Sequence, residues 1–127
     1  MSGRILVIED NQANLELMVY LLEAFGYEVL TAQDGGEGLE RAVSHRPDLI
    51  ICDIQMPVMD GYEVVRKLKS DPALSHIPVM AVTAFAMVGD RQKVMEAGFD
   101  DYFTKPIDPK EFLKQVEASM PSRTSGR

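Results

Sequence analysis

Four apolar runs of this chain end on a residue able to do chemistry. Glu9 and Asp10 follow "RILVI", Asp53 follows "LIIC", Thr83 follows "VMAV" and Lys105 follows "YFT". Brought together, they make three carboxylates, one hydroxyl and one ammonium. Two carboxylates about 5 Å apart at an effective dielectric of about 20 repel by roughly 3 kcal/mol, and three repel more. Such a site asks for a cation. Hard oxygen ligands in an open cluster suit Mg²⁺, which takes one or two carboxylates, keeps several waters and holds a phosphate oxygen. Lys105 and Thr83 would then face the other oxygens of a phosphoryl group. Taken singly, each residue has an ordinary structural role: a helix or turn cap for Asp10 or Asp53, a bond to a loop amide for Thr83, solvation for Lys105. The case rests on their conjunction.

Convergence requires elements that end at one edge. Five β-rich runs occur at 4–9, 27–32, 48–53, 77–83 and 100–105, separated by segments of helical spacing. Leu15, Met18, Leu22 and Phe25 make one stripe that stops at Gly26. Further helices are expected over 38–44, with Leu39, Ala42 and Val43 inward, over 62–69, with Val65 and Leu68 inward, over 88–97, and over 109–120, with Phe112, Val116 and Met120 aligned. Strict strand–helix alternation predicts an α/β fold, a (βα)5 flavodoxin-like doubly wound parallel sheet of order 2-1-3-4-5 with five surrounding helices. The three middle runs lack alternation, as strands covered on both faces do. Ligands of such sheets bind at the carboxyl ends of the strands, where the winding reverses between the first and third.

Composition narrows the class. With 127 residues, 46% of them hydrophobic, the chain forms one domain with a core of its own. We expect that domain over residues 1–120, and a tail or linker start over 121–127, "PSRTSGR". The single Cys allows no internal disulfide, and no apolar run approaches the roughly 20 residues of a membrane span, so a cytoplasmic location is expected. A net charge of −7 disfavours direct nucleic-acid contact. No His or Cys pair has zinc spacing; His45 and His76 read as loop residues. Neither a Rossmann fingerprint nor a P-loop follows the first strand, and "DGGEG" at 34–38 fits neither pattern.

The segments "VIEDN" (7–11), "ICDIQMPVMDG" (51–61), "AVTAFAM" (81–87) and "YFTKPI" (102–107) resemble the receiver domain of two-component response regulators. The likeness covers residues 4–120 and is greatest to stand-alone receivers of the cell-cycle type or receivers carried by hybrid histidine kinases. It implies that Asp53 is the phosphoacceptor, attacking a phosphohistidine on a histidine kinase or phosphotransfer protein. It implies Asp10, Asp53 and the backbone carbonyl of Gln55 as ligands of Mg²⁺, for which Mn²⁺ can substitute, with Glu9 acting through water. Lys105 would bind a phosphoryl oxygen, and the hydroxyl of Thr83 would swing toward another. Pro106 matches the family's cis peptide. Tyr102 matches its aromatic switch, which moves inward with Thr83 and alters the surface of helix 4, strand 5 and helix 5 for a downstream protein partner.

The side chains of Gln55 and Phe85 would flank the path of hydrolytic water, the bulk of Phe85 slowing loss of the phosphoryl group. Met56, Met59 and Met87 at the loop positions read as flexible fillers or as partner contacts, the filler role being favoured. On the first helix Ala13, Leu17, Tyr20 and Ala24 form a second apolar stripe, which the resemblance assigns to docking on the kinase or phosphotransfer bundle. The chain would be a signalling module rather than an enzyme, with only self-phosphorylation and autodephosphorylation chemistry. Two other classes stay open on the residues alone: a metal-dependent phosphatase or cofactor-binding protein on the same fold, and a scaffold that is never phosphorylated.

Overall fold

A computed structural model of the chain describes residues 3–84 and 90–121. Phe85, Met87, the expected helix start at Val88 and residues 122–127 lie outside the described residues. The elements alternate as β1 (Arg4–Ile8), α1 (Gln12–Ala24), β2 (Glu28–Ala32), α2 (Gly35–His45), β3 (Leu49–Asp53), α3 (Gly61–Ser70), β4 (Val79–Thr83), α4 (Asp90–Ala97), β5 (Asp101–Thr104) and α5 (Pro109–Ser119). All neighbouring strands are parallel and the sheet order is β2-β1-β3-β4-β5, the flavodoxin-like doubly wound arrangement.

Burial follows from that order. Every residue of β3 and β4 is buried, whereas the edge strands β2 and β5 keep several positions half-exposed. Beneath α1 and α5 lie Ile5, Val7, Leu49, Ile51, Met80 and Val82. Strand alternation sends Leu6, Ile8, Ile50, Cys52, Val79 and Ala81 to the opposite face, where α2, α3 and α4 cover them. Among the described residues no helix is long and apolar enough to cross a membrane.

Local chemistry sets the helix ends. Asn11, Asp34, Asp60 and Asp108 are N-caps whose side chains accept from N–H groups of the first turns, and Pro109 follows Asp108 where no intrahelical donor is needed. Gly26 has φ +94° just past α1 and turns the chain toward β2.

Three expectations need correction. Phe25, placed in the inward stripe of α1, is the C-cap residue and 45% exposed. The helix ends before the stripe's next inward position, and Tyr27, beyond the Gly26 turn, fills the core there. Val43, placed inward on α2, is 55% exposed. It stands about 100° round the helix from Ala42, and the inner face is made by Gly35, Gly38 and Ala42. A Cβ on Gly38 would overlap Ile8 Cδ1, so the glycine lets α2 approach β1 closely. His45 is the exposed last residue of α2 rather than a loop residue.

Candidate functional site

Register brings the four strand ends together. Ile8 pairs with Cys52, Asp53 with Val82 and Thr83 with Thr104, so Glu9, Asp53, Thr83 and Lys105 emerge side by side at the carboxyl edge. Hydrogen bonds continue past the strands: Glu9 N–H donates to Ala32 O (3.0 Å), Ile54 N–H to Val82 O (3.0 Å) and Lys105 N–H to Thr83 O (2.8 Å). The backbone is therefore held on each side of the reactive groups.

Glu9, Asp53 and Thr83 are buried, whereas Asp10 is exposed at the mouth. Carboxylate oxygens of Glu9, Asp10 and Asp53 all lie within 4.8 Å of one another. Lys105 Nζ reaches Asp53 Oδ2 at 3.3 Å and Glu9 Oε1 at 3.5 Å. Gln55 N–H donates to Asp53 Oδ1 (3.2 Å) and Asn11 N–H to Glu9 Oε2 (3.2 Å). Three carboxylates thus face one ammonium. Burial above all pushes the Glu9 carboxyl up from 4.5 to about 7; the adjacent Asp53 pushes the same way, and the Asn11 N–H and Lys105 pull it back.

These donors fit a hard divalent cation. They are all oxygens, they crowd like charges at one opening, and buried Glu9 Oε1 has the Lys105 ion pair but no hydrogen bond among the described residues. Asp10 and Asp53 can hold Mg²⁺ directly. Thiol chemistry has no place here, because Cys52 is fully buried and burial, followed by Asp53 and Glu9, raises its pKa.

Gln55 bridges two strand ends. Its side chain meets the Thr83 hydroxyl through Nε2 (3.2 Å) and Oε1 (3.4 Å), and Oε1 also accepts from Ala84 N–H (3.2 Å). Gly61 closes the intervening loop: its N–H donates to Ile54 O (3.0 Å), and a Cβ there would stand 2.7 Å from both Asp53 O and Ile54 Cα. Neither feature was read from sequence, although Gly61 sits in the quoted "MDG" and its aspartate–glycine pair is a turn signal.

Other expected positions lie apart from this cluster. Tyr102 is half-buried on β5, its carbonyl accepting from Gln115 Nε2 (2.6 Å) and its ring packed on the Val94 and Phe99 side of the sheet. The Lys105–Pro106 peptide is cis. On α1, Ala13 and Tyr20 are exposed and Leu17 is half-buried. Met56 and Met59 pack into or against the core as fillers.

Comparison with known proteins supplies independent support. The response regulator receiver domain family matches residues 5–117. The polar-differentiation response regulator DivK of Brucella anthropi is 44% identical over 120 residues, covering 94% of this chain and 98% of its own. A signal receiver domain of a histidine kinase from Syntrophus aciditrophicus superposes with a TM-score of 0.87 at 35% identity, covering 98% of this chain and 96% of its own. The receiver domain of a sensor histidine kinase from Pseudomonas aeruginosa, solved with a magnesium ion coordinated in its active-site cleft, gives 0.85 at 32% identity over 94% and 98% of the two chains. A sequence match along nearly the whole chain and a fold match of the same extent agree: this chain belongs to the response regulator receiver domains of two-component signalling.

Proposed function

We propose that Asp53 is the phosphoacceptor and that the receiver unit spans residues 1–120. The observation that carries this is the Asp53 carboxylate, buried within 4.8 Å of the other two acids and 3.3 Å from the Lys105 ammonium. A carboxylate oxygen of Asp53 forms a new bond to phosphorus as the phosphorus–nitrogen bond of a donor phosphohistidine breaks. The electron pair returns to the imidazole, which takes up a proton. The donor is a histidine kinase or a histidine phosphotransfer protein. Asp10, Asp53 and the Gln55 carbonyl would hold Mg²⁺, or Mn²⁺ in its place, with Glu9 acting through water, and a bound ion would supply charge neutralisation for the transferring oxygens. Lys105 binds one phosphoryl oxygen and Thr83 another.

Conversion of a buried carboxylate into a phosphoryl group of about −2 charge biases a two-state surface. Thr83 moves toward the phosphoryl group, Tyr102 turns inward, and α4, β5 and α5 present the altered face to a downstream protein. Ala13, Leu17 and Tyr20 of α1 dock the donor, and Gln55 with Phe85 sets the rate of autodephosphorylation. The chain works in the cytoplasm as a phosphorelay component, with no direct nucleic-acid contact. Acetyl phosphate with Mg²⁺ tests the reading: intact-mass measurement is expected to find a gain of one phosphoryl group, absent in Asp53→Asn. An equal gain in the variant overturns it.

A further inference from the structure

We propose that the Gln55 side chain is a latch that occupies the phosphoryl-binding donors of this site until phosphorylation displaces it. Its carboxamide oxygen accepts from both the Thr83 hydroxyl (3.4 Å) and the Ala84 N–H (3.2 Å). Ala84 N–H can only donate, so the amide must turn its oxygen toward it, leaving Nε2 against the Thr83 hydroxyl at 3.2 Å. One neutral oxygen thereby fills the place of an acceptor served by a hydroxyl and a backbone amide at the end of β4.

The same residue holds the reacting group. Gln55 N–H donates to Asp53 Oδ1 at 3.2 Å, so one residue contacts the acid to be phosphorylated and the donors that would receive the phosphoryl oxygen. Thr83 is buried whereas Gln55 and Ala84 are exposed, so the amide can swing out into solvent without unpacking the core, leaving the hydroxyl in place. A phosphoryl oxygen makes charge-assisted hydrogen bonds about twice as strong as those to a neutral amide, so displacement runs forward once the acyl phosphate forms. Gln55 thus acts as a positioning residue that sets the threshold of the switch. This inference rests on Asp53 being the phosphoacceptor.

Substitution by an apolar residue of equal length separates the latch from a simple screen against water. Gln55→Met keeps the bulk and removes the hydrogen bonds; Gln55→Ala removes both. Beryllofluoride affinity at saturating Mg²⁺ is expected to rise about threefold to tenfold in both variants. In nuclear magnetic resonance spectra of the unliganded protein, the Ala84 amide proton should move upfield in Gln55→Met. The gain in affinity should shrink when Thr83→Ala is combined with either variant. Unchanged or weakened affinity in Gln55→Met, or an Ala84 resonance that stays in place, overturns the latch while wild-type uptake leaves the phosphoacceptor reading intact. Wild-type protein that takes up no beryllofluoride overturns both.

Discussion

At the scale of single residues, Glu9 couples the site to pH. Its carboxyl sits inside the sheet edge with one oxygen bonded to Asn11 N–H and the other ion-paired with Lys105, and burial pushes its pKa from 4.5 to about 7. Between those values the folded, metal-free protein holds a proton that the unfolded chain has released. Stability from this group is therefore full below about pH 4.5 and falls as pH rises toward 7. A divalent cation favours the ionised form, so the sign reverses on binding. Mg²⁺ affinity measured by calorimetry should climb between pH 5.5 and 8, and Glu9→Gln should flatten that climb. A profile equally steep in both proteins would remove Glu9 from the linkage.

At the scale of elements, two glycines allow close approaches that differ in kind. Gly61 starts α3 against the backbone of Asp53 and Ile54, whereas Gly38 places α2 against the terminal methyl of Ile8. A backbone atom cannot yield, whereas the buried Ile8 side chain, which a Cβ on Gly38 would also meet at Cγ1 (2.8 Å), can yield by repacking with its neighbours. Gly61→Ala should therefore cost about 1–3 kcal/mol and weaken Mg²⁺ binding by shifting the backbone that carries the Asp53 carboxylate and leads to the Gln55 carbonyl. Gly38→Ala should cost less, because alanine returns about 1 kcal/mol of helix propensity. Urea unfolding midpoints check the order, and equal losses would contradict it.

The glycine of α2 also explains a misreading of that helix. Its buried face is built from residues too small to register as apolar periodicity, so Val43 was assigned inward. The strands were legible because β1, β3 and β4 are covered on both faces and read as unbroken apolar runs. The residues ending them were legible because parallel strands deliver their last residues to one edge. The Gln55 contact with Thr83 was not legible. It depends on β3 and β4 pairing Asp53 with Val82, a register absent from local spacing.

At the scale of the molecule, net charge and site charge have the same sign. The chain's net charge of −7 includes the site's own acids, so cation binding there relieves local repulsion and lowers the overall negative charge. Free Mg²⁺ at ten times its dissociation constant should stabilise the fold by ~1.4 kcal/mol. For a domain of this size that is a rise of roughly 5 °C in Tm. Chelation should reverse the rise, and Asp10→Asn combined with Asp53→Asn should abolish it. Sodium chloride at matched ionic strength giving the same rise would show screening rather than a site.

The reactive groups enter the site from four different strands, and β5 with Lys105 comes last in the chain. A nascent polypeptide still short of β5 carries the acids without the ammonium that makes their crowding tolerable, and without the strand that braces Thr83. On the proposed roles of Asp53 and Lys105, competence to accept a phosphoryl group would arrive only once β5 has joined the sheet.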